Sequence, residues 1–144
     1  MSRLPRAYVI DASVGIKRFL RETQSTEVKA LFDRLVRDEC VFVVPDLFYV
    51  ECANVLWKKV VREKHPIDKA IADMKDLRVL ALTSVPTRDL AERALGISCA
   101  YGISAYDACY VALSEQEHVP LLTADAKLAS ILRGSAFDIM VLGE

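Results

Sequence analysis

The sequence predicts a three-layer α/β/α domain built on a mainly parallel central sheet of about four to five strands. Three observations carry this expectation. Short, β-branched apolar runs recur as AYVID (7–11), CVFVVP (40–45), VPLLT (119–123) and DIMVL (138–142), the pattern of strands buried on both faces. The segments between them space their apolar residues as helices do. A chain of 144 residues with 5 Gly and 5 Pro and no visible linker is expected to form one domain over 1–144.

In chain order, the first strand (7–11) ends on Asp11 and leads into a stretch that reads as a helix. Residues 25–37 place Val28, Leu31, Phe32, Leu35 and Val36 at helical spacing. Residues 46–64 are predicted as a helix that Asp46 caps after Pro45. A helix over 66 to about 80 starts on a first-turn proline, although LRVLAL (77–82) also reads as a strand. Thr87 is the expected cap of a helix over 87–100. Residues 104–117 open with S-x-x-D, which resembles a capping box, and 124–132 closes the series. Strands that alternate with helices pair in parallel and bring their carboxyl ends, where α/β domains bind ligands, to one edge.

Composition narrows the function. The longest uncharged runs are far below the ~18 residues of a membrane span, and MSRLPRAYVID lacks the features of a secretory leader, so a soluble cytoplasmic protein is expected. A formal net charge of -1 provides no broad basic surface; a polyanion would have to be held by a local basic strip or by metal. Cys40, Cys52, Cys99 and Cys109 form no C-x-x-C and have no histidine at zinc-finger spacing. Three of them sit in apolar surroundings and read as core residues. Asn occurs once and Gln twice, a depletion associated with thermophilic sources.

Four acids stand out. Asp11 and Asp125 each follow a strand and precede a helix, which is also what an ordinary N-cap does. Asp107 lies in the first turn of its helix, where the macrodipole favours an anion. Glu51 is less ordinary: Leu47, Phe48 and Val55 are its helical neighbours, so its carboxylate sits on or beside the apolar stripe, with Asn54 as a hydrogen-bonding candidate. In a parallel sheet these four converge. Two unit charges 4 Å apart repel by roughly 4 kcal/mol at an effective dielectric near 20, so such a group needs a counter-charge. Oxygen-only donors suit Mg²⁺ or Mn²⁺.

VIDASV, ECANVLWK, SAYDACYVAL and LLTADAKL, in this order and at these separations, resemble the four acidic motifs of PIN-domain nucleases, and most closely those of VapC-type toxins of toxin–antitoxin pairs. The resemblance runs from Tyr8 to Asp138. It implies that Asp11, Glu51, Asp107 and Asp125 form a catalytic, Mg²⁺- or Mn²⁺-binding pocket, with Asp11 and Asp107 as direct ligands and Glu51 and Asp125 ligating directly or through water. Ser13 and Thr123 match the supporting hydroxyl positions; judged without the family they are helix-cap hydroxyls. Asn54 matches a polar position three residues after the helical Glu. Where some members carry a further acid after the last motif Asp, this chain has Ala126 and Lys127.

The resemblance further implies an endoribonuclease leaving 3′-hydroxyl and 5′-phosphate ends, a homodimer, and a VapB-type antitoxin that lays an apolar helix in a groove. Lys17, Arg18, Lys58, Lys59 and Lys127 are candidates to track an RNA backbone, against the plainer reading of solvated helix faces. Ile16, Phe19, Leu20, Phe32 and Leu35 exceed what one buried face needs, with core packing as the alternative. A stand-alone nuclease and a non-catalytic RNA- or partner-binding module are the alternatives. A haloacid-dehalogenase-type phosphohydrolase needs a second Asp where Ser13 stands, and a receiver domain needs an acid pair at the first strand.

Overall fold

The computed structural model describes residues 4–20 and 25–143. Five parallel strands, β1 (Ala7–Ile10), β2 (Val41–Pro45), β3 (Thr83–Val85), β4 (Leu121–Thr123) and β5 (Ile139–Val141), pair in the order β3-β2-β1-β4-β5. Seven α-helices among the described residues connect them: α1 (Ala12–Gly15), α2 (Ser25–Val36), α3 (Phe48–Glu63), α4 (Ile67–Val79), α5 (Ala91–Tyr101), α6 (Ala105–Glu117) and α7 (Ala126–Leu132). The expected α/β architecture is present. Tyr8, Val9 and Ile10 are all buried although successive side chains of a strand point to opposite faces, so β1 is covered on both sides.

The strand order matters for the site. From β1 the chain builds outward through β2 and β3, then crosses back to place β4 on the other side of β1. That reversal falls between β1 and β4, and the carboxyl ends of strands at such a switch point are where open α/β sheets bind ligands. The register pairs Val9 with Leu121 and Ile10 with Leu122, so the next step along each strand brings Asp11 beside Thr123.

Helix α6 packs against β1, β2 and β4, and its residues from Ala108 to Ser114 are all buried, as its charge-free run requires. Helix α1 lies against α3, where Gly15 approaches the wholly buried Phe48 ring so closely that an added Cβ would stand 2.6 Å from Phe48 Cζ. Phe32 and Phe42 meet edge to face at 5.1 Å and fix α2 on the sheet. Cys40, Cys52 and Cys109 are buried free thiols, as expected, and Cys99 is exposed.

Three local expectations change. Asp46 does not cap α3, whose N-cap is Leu47; its Oδ1 accepts a hydrogen bond from Thr87 N at 3.0 Å. Thr87 accordingly opens a 3₁₀ turn (Thr87–Asp89) that Pro86 precedes, and α5 begins only at Ala91. Residues 77–79 continue α4, and the strand follows at Thr83–Val85, an edge strand largely exposed to solvent. No helix among the described residues is long and apolar enough to cross a membrane.

The surplus apolar residues also resolve. Ile16, Phe32 and Leu35 belong to the buried core, and Phe19 and Leu20 pack against it half-buried. Exposed apolar surface lies elsewhere, on α3 and α4, where Val50, Trp57, Val61, Ile67 and Ile71 are each more than half exposed.

Candidate active site

Asp11 anchors the site. It is 9% exposed at the end of β1, and its Oδ1 caps α1 by accepting from Val14 N at 3.3 Å. Ser13 Oγ donates to the same oxygen at 2.5 Å, and Thr123 Oγ1 donates to Oδ2 at 2.5 Å. Both hydroxyls are themselves held: Ser13 Oγ accepts from Ala124 N at 2.9 Å, and Thr123 Oγ1 accepts from Asp125 N at 3.0 Å. Backbone from the β4–α7 turn therefore orients two hydroxyls, and they orient Asp11. Ser13 and Thr123 are expected here as supports or as helix caps; their described hydrogen bonds are to Asp11, to this turn and, at 3.4 Å, to each other.

Asp125 caps α7 through Oδ1, which accepts from Leu128 N at 3.0 Å. Asp107 stands in the first turn of α6, and its N–H donates to the N-cap Ser104 Oγ at 3.1 Å. Glu51, in the first turn of α3, is half-buried. Its described partner is Tyr110, whose Oη donates to Glu51 Oε1 at 2.6 Å. Asn54, the expected partner, is exposed on α3. Tyr110 is the residue that sequence reasoning missed, and the one signal for it was a phenol inside an otherwise apolar helix, three residues after Asp107.

The electrostatics tie the four acids together. Burial pushes the Asp11 carboxyl up to about 6 from its ordinary 3.8; the hydrogen bonds from Ser13, Thr123 and Val14 oppose the rise, and the Asp107 charge adds to it. Burial likewise raises Glu51 above the usual carboxylate range, with Tyr110 opposing and the charges of Asp107 and Asp11 reinforcing. Asp107 is raised by burial and then by Asp125. Tyr110 is held far above the ordinary phenol value by burial and by Glu51, so it remains a donor. Asp11, Glu51 and Asp107 thus each feel the charge of at least one other acid of the set. They share one edge of the sheet.

Among the described residues no three His, Cys, Asp or Glu side chains are grouped closely enough to hold one ion between them. The donor chemistry nevertheless fits a hard dication. Four carboxylates supply oxygen only, their mutual repulsion is uncompensated by any described ion pair, and Glu51 Oε2 and Asp125 Oδ2 carry none of the described hydrogen bonds. His65 and His118 belong to helix ends outside this set.

The basic candidates divide. The Arg18 guanidinium lies over the rings of Phe19 and Phe32 at 5.8 and 5.9 Å and is half-buried. Lys59 pairs with Glu63 at 3.1 Å, whereas Lys58 and Lys127 are exposed. Lys17 is half-buried.

Fold and acidic edge together define a PIN domain: the PIN domain profile matches residues 8–133, and the chain belongs to that family. Within it, the chain falls among the VapC ribonucleases. It is 33% identical over 121 residues to ribonuclease VapC9 of Mycobacterium tuberculosis, covering 84% of this chain and 87% of that one. Its fold is similar to the crystal structure of PAE2754 from Pyrobaculum aerophilum, with a TM-score of 0.68 at 22% identity over 94% of this chain and 83% of the other. It is also similar to VapBC2 from Rickettsia felis bound to a DNA fragment from their promoter, with a TM-score of 0.66 at 9% identity over 94% and 98%.

Proposed function

We propose that this protein is a Mg²⁺- or Mn²⁺-dependent endoribonuclease, the toxin of a type II toxin–antitoxin pair, acting in the cytoplasm as a homodimer. The observation that carries the reading is the Asp11–Ser13–Thr123 junction at the sheet's switch point, with Glu51, Asp107 and Asp125 within electrostatic reach. The name of the VapC9 relative supports ribonuclease activity.

Asp11 and Asp107 are the direct metal ligands in this reading, and Glu51 and Asp125 ligate directly or through water. A dication held there would supply charge for the scissile phosphate and would lower the pKa of a coordinated water. Ser13 and Thr123 hold both Asp11 oxygens in place and, as donors, favour its ionised form, which is the form that ligates. Glu51 or Asp125 would help orient the attacking water, and hydrolysis would leave 3′-hydroxyl and 5′-phosphate ends. Exposed Lys58 and Lys127 are available to RNA phosphates.

A VapB-type antitoxin is the expected partner, a reading supported by the fold similarity to VapBC2 from Rickettsia felis. The apolar surface of α3 and α4 supports protein association, because Trp57, Ile67 and Ile71, each more than half exposed, rim a groove with an apolar floor.

The test is cleavage of a panel of tRNAs and rRNA fragments by purified protein. Cutting should require Mg²⁺ or Mn²⁺ and vanish in Asp107→Ala; undiminished activity in EDTA refutes the mechanism. Light scattering should report a dimer, and a stable 16.1 kDa monomer refutes that part.

A further inference from the structure

We infer that Tyr110 is a positioning residue for Glu51: its hydroxyl fixes Oε1 and so presents Oε2 as the oxygen available to a cation or to its bound water. The inference rests on the acidic pocket proposed above and deepens it. Three observations carry it. Tyr110 Oη and Glu51 Oε1 are 2.6 Å apart, a contact that joins α6 to α3 across 59 positions of sequence. Tyr110 is 2% exposed, so its ring is clamped by the core and its hydroxyl has little freedom to follow a wandering carboxylate. Phe48 and Cys52, which flank Glu51 on α3, are wholly buried, so the helix backbone on the other side of the contact is equally fixed.

A glutamate in the first turn of a helix has three side-chain torsions to settle before it can ligate or hold a water. One hydrogen bond from a rigid donor restricts them in advance. The same helix also carries Asp107, one turn before Tyr110, so α6 contributes one carboxylate directly and aligns a second contributed by α3. Asp11 is aligned by two hydroxyls, Ser13 and Thr123, and Glu51 by a third, Tyr110; the pocket orients its acids with neutral donors throughout. Neutral donors fix a carboxylate without cancelling the charge that draws a cation in.

The experiment is Mn²⁺ binding to the full chain, by calorimetry and by the metal-induced rise in melting temperature, for wild type, Tyr110→Phe, Glu51→Gln and the double variant. Loss of a group that orients a metal ligand typically costs 10–100-fold in affinity, so Tyr110→Phe should weaken Mn²⁺ by about tenfold. The double variant should bind no more weakly than Glu51→Gln alone, because the hydroxyl acts only through that carboxylate. In RNA cleavage, Tyr110→Phe should raise the Mn²⁺ concentration needed for half-maximal rate by a similar factor, and saturating Mn²⁺ should recover most of the rate.

Wild-type affinity in Tyr110→Phe, or penalties that add in the double variant, overturns the inference and leaves the pocket intact. Wild-type protein that binds no Mn²⁺ overturns the pocket and the inference together. A measurement on unaltered protein guards against a poorly folded variant: the Tyr110 hydroxyl proton should exchange slowly in NMR spectra, and its resonance should move on adding Mg²⁺. Rapid exchange or an unmoved resonance refutes the assignment.

Discussion

Replacing Asp11 by Asn should stabilise the metal-free protein near neutral pH and leave it almost unchanged near pH 4. The reason lies in the proton. In the folded chain Asp11 holds its proton up to about pH 6, whereas an exposed aspartate loses it near 3.8. Between those values the folded state binds the proton and the unfolded state does not, so stability falls as pH rises through that window. Below it the favourable contribution is fully present; above it the loss is complete. At about 1.4 kcal/mol per tenfold change in proton affinity, the full loss is roughly 3 kcal/mol. The Asp11 charge also raises Glu51, so removing it relieves a second acid in the same direction. Asn keeps the shape and an acceptor but never ionises.

Melting in EDTA from pH 4 to pH 8 reads this out. Asp11→Asn and wild type should coincide within about 1 kcal/mol at the acid end and separate by roughly 2–3 kcal/mol at the neutral end, or on the order of 5–10 °C for a domain of this size. Comparing the two proteins at each pH removes the contribution of titrating groups that do not interact with Asp11, leaving Asp11 and its effect on Glu51. A difference that stays flat from pH 4 to pH 8, or a wild type that is the more stable at neutral pH, refutes the claim that a desolvated carboxylate is the costly element of this site.

Millimolar Mg²⁺ or Mn²⁺ should raise the wild-type melting temperature by several degrees, and Asp11→Asn should abolish the rise; an equal rise in both proteins excludes Asp11 as a ligand. Thr123→Val removes a donor from Asp11 Oδ2 and an acceptor from Asp125 N, and should cost roughly 1–3 kcal/mol in urea melts. Because that donor lowers the Asp11 pKa, its loss should also move the acidic limb of the cleavage profile to higher pH, and an unshifted limb counts against its role. Gly15→Ala drives a Cβ to 2.6 Å from Phe48 Cζ, and since that ring is wholly buried the change should cost about 1–3 kcal/mol, measured as a lower urea midpoint. An Ala variant as stable as wild type would mean that α1 and α3 slide apart easily.

Much of this was legible because core strands and site acids leave local marks. β1, β2, β4 and β5 are apolar runs, and each was readable from its own residues. β3 was not: Thr83 and Ser84 are exposed at the sheet edge, so no apolar run marks them, and pairing with Val43 and Val44 is what makes them a strand. Asp46 and Thr87 misled for a related reason. Each has the side chain of a helix cap, but the Asp46 carboxylate accepts from the Thr87 backbone, a contact across 41 positions that no local pattern contains. Glu51 was legible as an acid on an apolar stripe, yet its partner was not, because Tyr110 reaches it from another helix. What sequence spacing encodes was readable; what depends on two distant segments meeting was not.

Asp11 and Asp125 show that the plain and the functional readings of these acids are one arrangement. Each carboxylate caps the helix that follows its strand through Oδ1, to Val14 N in one case and to Leu128 N in the other. A cap of this kind fixes a carboxylate at the carboxyl edge of the sheet with one oxygen turned to its helix. Serine would cap as well and would not repel its neighbours. The Asp125 charge raises Asp107, and the Asp107 charge adds to the cost of the buried Asp11, which has no described cation beside it. Capping therefore explains where Asp11 and Asp125 sit but not why both are acids, or why Glu51 and Asp107 join them. The repulsion makes sense if the site's working state includes the positive charge that the metal-free protein lacks, and stability measured without metal is then the wrong reference for judging what these four residues contribute.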